Sequence, residues 1–172
     1  MGALPGKKGE NIMREIILKA IEKNSRVDIH ELAIMLGTDD ETVYNEMVQM
    51  EKENIICGYH TMIDWDKTGI DKISALIEVK VTPQKDTGFE KIAEMISNYP
   101  EVNSVYLISG SYDILVLIEG KTLREVSLFV SEKLASIDSV LSTATHFVLR
   151  KYKDHGTVLA TKPVSERMLV TP

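Results

Sequence analysis

Val105-Tyr106-Leu107-Ile108-Ser109-Gly110-Ser111-Tyr112-Asp113-Ile114-Leu115-Val116-Leu117-Ile118-Glu119-Gly120 is the stretch whose reading decides the fold. Two apolar runs, Val105 to Ile108 and Ile114 to Ile118, flank Ser109 to Asp113, the pattern of a β-hairpin with glycine at its reversal. The second run is apolar at consecutive positions, so both faces of that strand must be covered. Helices of the same chain supply one cover, and the other face is free for a partner subunit.

Working outward, Ile73, Ala75, Ile77, Val79 and Val81 alternate with Ser74, Leu76, Glu78 and Lys80, the period of a strand that Pro83 closes. Phe89, Ile92, Ala93 and Ile96 then mark an amphipathic helix ended by Asn98-Tyr99-Pro100. Beyond the hairpin, Thr122 to Ile137 carries Leu123, Val126, Val130, Leu134 and Ile137 on one helical stripe, and Val140 to Tyr152 reads as a last strand. The class is therefore α+β, and residues 72–152 form a ferredoxin-like βαββαβ sandwich. Its two helices cover one face of the sheet. A homodimer through the other, apolar face is expected, since oligomers most often close with twofold symmetry.

The N-terminal part has a different period. Residues 1–9 are rich in glycine and read as a disordered lead, and residues 10–60 as three helices. Ile12, Ile16 and Ala20 recur at spacings of four with Ile17 and Ile21 beside them. A second helix starts at Asp28, with Glu31 placed to complete a capping box, and stops at Gly37. Thr38 opens a third, with Glu41 at the matching offset and Val43, Met47 and Met50 as its apolar stripe. Two helices joined by a tight glycine turn, behind a packing helix, make a winged helix-turn-helix arrangement, though the pattern alone equally allows a three-helix cluster with no DNA role. As a DNA reader, its third helix would expose Asp39, Asp40, Thr42, Tyr44, Asn45, Glu46, Gln49 and Lys52. Asn45 and Gln49 could pair with adenine, and Thr42, Tyr44 and Lys52 complete the DNA-binding candidates. Residues 61–71 read as a linker with a strand, in which Trp65 is either an anchor at the domain joint or a stacking surface for a ligand.

Composition narrows the classes. The charge of −6 and hydrophobic share of 44% are those of an ordinary globular protein. No apolar run approaches a membrane span and no signal peptide is read, so a cytoplasmic location is expected. One cysteine, Cys57, excludes an internal disulfide and a multi-cysteine metal site, and His30, His60, His146 and His155 are dispersed. No metal, cofactor or catalytic residue is expected. Residues 1–60 hold seven Lys/Arg against eleven Asp/Glu, the opposite of a nucleic-acid reader's usual balance.

The ordered set of motifs resembles the leucine-responsive regulatory protein and asparagine-regulator (Lrp/AsnC) family. Asn54-Ile55-Ile56-Cys57-Gly58-Tyr59 is similar to that family's "GvIxGY" exit from the reading helix, Gly69 ends the linker, and Ser109-Gly110-Ser111-Tyr112-Asp113 is similar to its G-x-Y-D hairpin. The likeness runs over about residues 10–153. It implies a transcription regulator that binds double-stranded DNA, assembles as a homodimer or a higher oligomer of dimers, and senses an amino acid or related small metabolite. Carried over by position, the effector residues are Gly110, Ser111, Tyr112, Asp113, Thr143 and Thr145. Asp113 suits an ammonium and the backbone around Gly110 a carboxylate, but Asp113 can equally cap its own turn and the threonines simply favour a strand.

The chain departs from the resemblance where DNA is read. Asn45, Glu46 and Gln49 stand where the family usually carries arginines, and Asp39, Asp40 and Glu41 open the helix. Lys7, Lys8, Arg14, Lys19 and Arg26 are then the expected phosphate contacts. Alternatively the protein is a metabolite sensor that has lost DNA binding, or an enzyme like the sirohaem decarboxylases, whose arginine- and histidine-rich site has no counterpart here. The tail, 153–172, is apolar enough to expect packing on a neighbouring subunit.

Overall fold

The computed structural model describes residues 5–82 and 88–159. The chain divides into two compact units at Met62 and Ile63, within the expected linker. Among the described residues no helix is long and apolar enough to cross a membrane.

The first unit is three helices, α1 (Pro5–Lys23), α2 (Ile29–Leu36) and α3 (Asp40–Lys52). Helix α1 begins inside the expected lead, because a proline's fixed φ and missing N–H suit the first helical position. Residues 1–4 lie outside the described residues. Ile17, Ile21, Leu32, Ala33, Val43, Met50 and Ile56 close one core. Asp28 caps α2 by accepting from the backbone N–H of His30 and Glu31. Gly37 ends that helix at φ 67°, where a side chain would be strained, and the Thr38 N–H closes back on Ala33 O at 3.0 Å. This closure corrects the expected start of α3. Thr38 belongs to the turn, and the cap is Asp39, which accepts the Thr42 N–H at 2.8 Å.

The expected strand between Gly58 and Gly69 is not formed. The regular element there is a 3₁₀ turn at Trp65–Lys67, since a strand exists only where a neighbour completes its ladder. In the second unit Lys72 Nζ sits over the Trp65 ring, 4.3 Å from its centroid.

The second unit holds β1 (Ile73–Val81), α4 (Glu90–Ser97), β2 (Val102–Leu107), β3 (Ile114–Gly120), α5 (Leu123–Leu128) and β4 (Val140–Phe147). The sheet order is β2-β3-β1-β4 with every pair antiparallel, the expected sandwich. Ala75, Ile77, Val79, Ile114, Val116 and Ile118 are buried against Ile92, Ile96, Val126, Phe129 and Leu134. Helix α5 continues as a π turn over Phe129–Leu134, closed by the Ala135 N–H on Val130 O at 2.8 Å. Phe129 is buried, and Leu123, expected inside, is exposed in the first turn of α5, before the π turn begins. Strand β4 stops at Phe147 rather than Tyr152, after which Lys153–Asp154 (β5) and Thr157–Val158 (β6) pair as a short hairpin. Pro83 and residues 160–172 of the tail lie outside the described residues.

Among the described residues of the second unit, no element covers the second face of the sheet. Leu76, Leu115 and Leu117 lie half-buried at its centre and Tyr106 is exposed beside them, while Glu78 meets His146 at 3.3 Å toward the β4 edge.

Candidate functional site

In the helix-turn-helix unit, local chemistry decides which of the expected reading residues remain available. Tyr44, Asn45 and Lys52 are exposed. The Thr42 hydroxyl is committed to Asp39 Oδ2 at 2.8 Å, and Gln49 Nε2 donates to Glu53 Oε1 at 2.8 Å. Glu46 is not a free acid on the reading surface: Arg14 Nε donates to its Oε1 at 2.5 Å, while Arg14 Nη1 meets Glu53 Oε2 at 2.7 Å. Arg14 is therefore a strut between α1 and α3 rather than one of the expected phosphate contacts. The hydrogen bonds it donates to Glu53 and Glu46 raise its already high pKa, so its charge is permanent.

Of the other carboxylates at α3, Asp39, Asp40 and Glu51 are also engaged, while Glu41 is exposed. Asp39, holding the Thr42 N–H and hydroxyl, is kept below the usual carboxylate range. Tyr59, the tyrosine of the exit motif, donates its hydroxyl to Glu51 Oε1 at 2.8 Å; burial and this carboxylate push its pKa up to about 12. His30 Nδ1 lies 3.0 Å from Asp40 Oδ1 and 3.2 Å from Oδ2, joining the first turns of α2 and α3. The Arg14 and His30 pairings were not foreseeable from sequence spacing, because each depends on how two helices cross.

In the second unit the structure brings Gly110, Ser111, Tyr112 and Asp113 together at one end of the sheet. The turn is closed by the Ile108 N–H on Asp113 O at 2.8 Å, and the Asp113 N–H continues to Val79 O at 3.1 Å. Asp113 Oδ2 accepts the Val81 N–H at 2.9 Å, so one carboxylate oxygen anchors the hairpin to β1. Gly110 is exposed and does not adopt a left-handed φ; a Cβ there would make only ordinary contact with Ile108 Cγ2 at 3.7 Å. Nothing in the fold itself requires glycine at this position.

The threonines are placed less simply. Thr143 pairs with Val79 and Thr145 with Ile77, so both share the helix-covered side of the sheet, half-buried on its edge strand. Thr143 shares a row with Ile114 across β1, near the hairpin end, whereas Thr145 lies one step further along on the same face. A cleft that sequence reasoning missed, of about 280 Å³, lies at the far end of β3 between Glu101, Ile118, Gly120, Val126 and Phe129. Lys133 pairs with Glu101 there at 2.5 Å and lies over the Tyr99 and Phe129 rings.

Residues 74–158, the whole sandwich with its terminal hairpin, match the Lrp/AsnC ligand binding domain. A regulator of Bacillus subtilis, the uncharacterized HTH-type transcriptional regulator YugG, is 45% identical over 157 residues, covering 91% of this chain and 95% of that protein. The chain belongs to the Lrp/AsnC family of helix-turn-helix transcription regulators. The proline dehydrogenase transcriptional activator of Rhizobium radiobacter is 25% identical over 140 residues, 81% of this chain and 89% of its own length. Among solved structures, AsnC of E. coli is similar with a TM-score of 0.61 and 26% identity, covering 82% of this chain and 92% of that one. This Lrp/AsnC chain thus pairs a helix-turn-helix unit with a ligand-binding sandwich.

Proposed function

We infer that this regulator reads duplex DNA with α3, takes an amino acid or related small metabolite at the hairpin 109–113, and closes as a homodimer over the open sheet face. A cytoplasmic location follows from work on DNA. The observation that carries the effector assignment is Gly110: the backbone tolerates a side chain there, so the missing one serves what approaches from outside. Asp113 offers its second oxygen to an ammonium while the first holds Val81. Support for the dimer comes from Leu76, Leu115, Leu117 and Tyr106, a contiguous apolar centre of the kind that two copies bury.

The test is thermal unfolding of the full chain with each of the twenty amino acids. At least one raises the melting temperature of the unaltered protein. Gly110→Ala melts at the unaltered temperature without ligand and shows a reduced ligand shift. No response to any amino acid, or an equal response in Gly110→Ala, would contradict the assignment.

A further inference from the structure

A reading helix that opens with three carboxylates faces a polyanion, yet most of the acids on α3 are already bound within the chain. Asp39 is held by Thr42, Glu46 and Glu53 by Arg14, and Glu51 by Tyr59. In helix-turn-helix docking the start of the second helix approaches bases while the first crosses the backbone. Of the three carboxylates there, Asp39 keeps its charge on the Thr42 N–H and hydroxyl and Glu41 is exposed, whereas Asp40 is the one given a titratable partner. Its partner is His30, whose Nδ1 reaches both carboxylate oxygens, at 3.0 and 3.2 Å. The imidazole is 69% and the carboxylate 57% exposed, so the pair is open to solvent at the first turns of α2 and α3. Arg14 is charged at every working pH, whereas a histidine changes charge across the physiological range.

Resting on the DNA-binding reading, we propose that His30 sets duplex affinity: its imidazolium cancels the Asp40 charge where DNA approaches, so binding takes up a proton and strengthens as pH falls. The charged groups acting on the ring are Asp40 from α3 and Asp28 at the N-cap of its own helix. The hydrogen bond and charge of Asp40, followed by Asp28, raise the imidazole above its ordinary value of 6.5. Phosphates at the same surface raise it further in the complex. Affinity is therefore full below the pKa of the free protein and falls as pH rises toward that of the complex, by at most about tenfold per pH unit.

The experiment is fluorescence anisotropy of a random-sequence duplex with the full-length protein, at fixed low salt, from pH 6 to pH 9. The unaltered protein loses affinity with rising pH. His30→Gln binds weakly with little pH dependence, and His30→Lys binds tightly with little pH dependence, circular dichroism showing that both remain helical. Imidazole titration by NMR without DNA places the His30 pKa lower in Asp40→Asn than in the unaltered protein. An unchanged pH profile in His30→Gln overturns the proposal and leaves DNA binding standing. Absence of duplex binding at every pH overturns the DNA-binding reading, and this proposal with it.

Discussion

Arg14 and Glu46, far apart in sequence, form a hydrogen-bonded ion pair of 2.5 Å that ties α1 to α3. Their side chains are 20% and 14% exposed, so the pair is shielded in a way that surface ion pairs are not. Glu46→Arg places two guanidinium groups together and lowers the melting temperature, without tightening duplex binding as a free surface charge would. Glu46→Gln, which keeps an acceptor, loses less. Circular dichroism melts and duplex anisotropy on the two variants check both statements.

Asp113 anchors the fold whether or not it meets a ligand. Its Oδ2 accepts the N–H of Val81, a residue 4% exposed, and removing the carboxylate takes that acceptor away from a buried donor. Asp113→Ala is expected to cost about 1–3 kcal/mol in chemical unfolding, the range for a buried donor left unmade. Asp113→Asn keeps an acceptor oxygen and costs less, yet it removes the charge for an ammonium. Comparing the two separates hairpin anchoring from effector binding.

The open sheet face gives a test of assembly. Leu117 lies at the centre of that face beside Leu76, its register partner on β1, and is half-buried already in the single chain. Leu117→Lys puts a charge into the middle of the proposed contact and weakens the dimer by about 2 kcal/mol or more, roughly 30-fold in dissociation constant. Sedimentation velocity over a dilution series reads this directly.

Acid should loosen the sandwich at Glu119. Burial pushes its carboxyl up, but the hydrogen bond and charge of Lys72, joined by Asn103 and Lys151, hold it below the ordinary 4.5. A carboxyl with a depressed folded-state pKa contributes stability that is complete above its unfolded value and is lost as pH falls through its own lower one. Unfolding midpoints measured from pH 7 to pH 3 should therefore fall more steeply for the unaltered protein than for Glu119→Gln.

Much of this architecture was legible because period and capping chemistry are local. Asp28 and Gly37 bound α2 where the residue types place them, and the alternation from Ile73 to Val81 is the alternation of the sheet. Two neighbouring caps, Thr38 and Asp39, were both competent. The Gly37 turn decided between them by drawing the Thr38 N–H into its own closure. Leu123 opens α5 and stays exposed, while Phe129, off the expected stripe, is buried where the π turn begins. The face of Thr143 and Thr145 depended on the register of β4 against β1, which shifts between Lys80 and Val81 and so cannot be counted from one strand alone. The Arg14 and His30 pairings required helix crossings, which no spacing within one helix encodes.

Duplex binding as a function of salt is the most direct test of DNA reading, because the phosphate contribution to affinity is electrostatic and an acidic chain has few free charges to supply it. The account predicts binding of random-sequence duplex at low salt that weakens steeply, by about 10³-fold between 50 and 200 mM for some six phosphate contacts, and that responds to an amino acid. No binding at 50 mM salt, with amino-acid-dependent stabilisation intact, would contradict it and leave a sensor that does not read DNA.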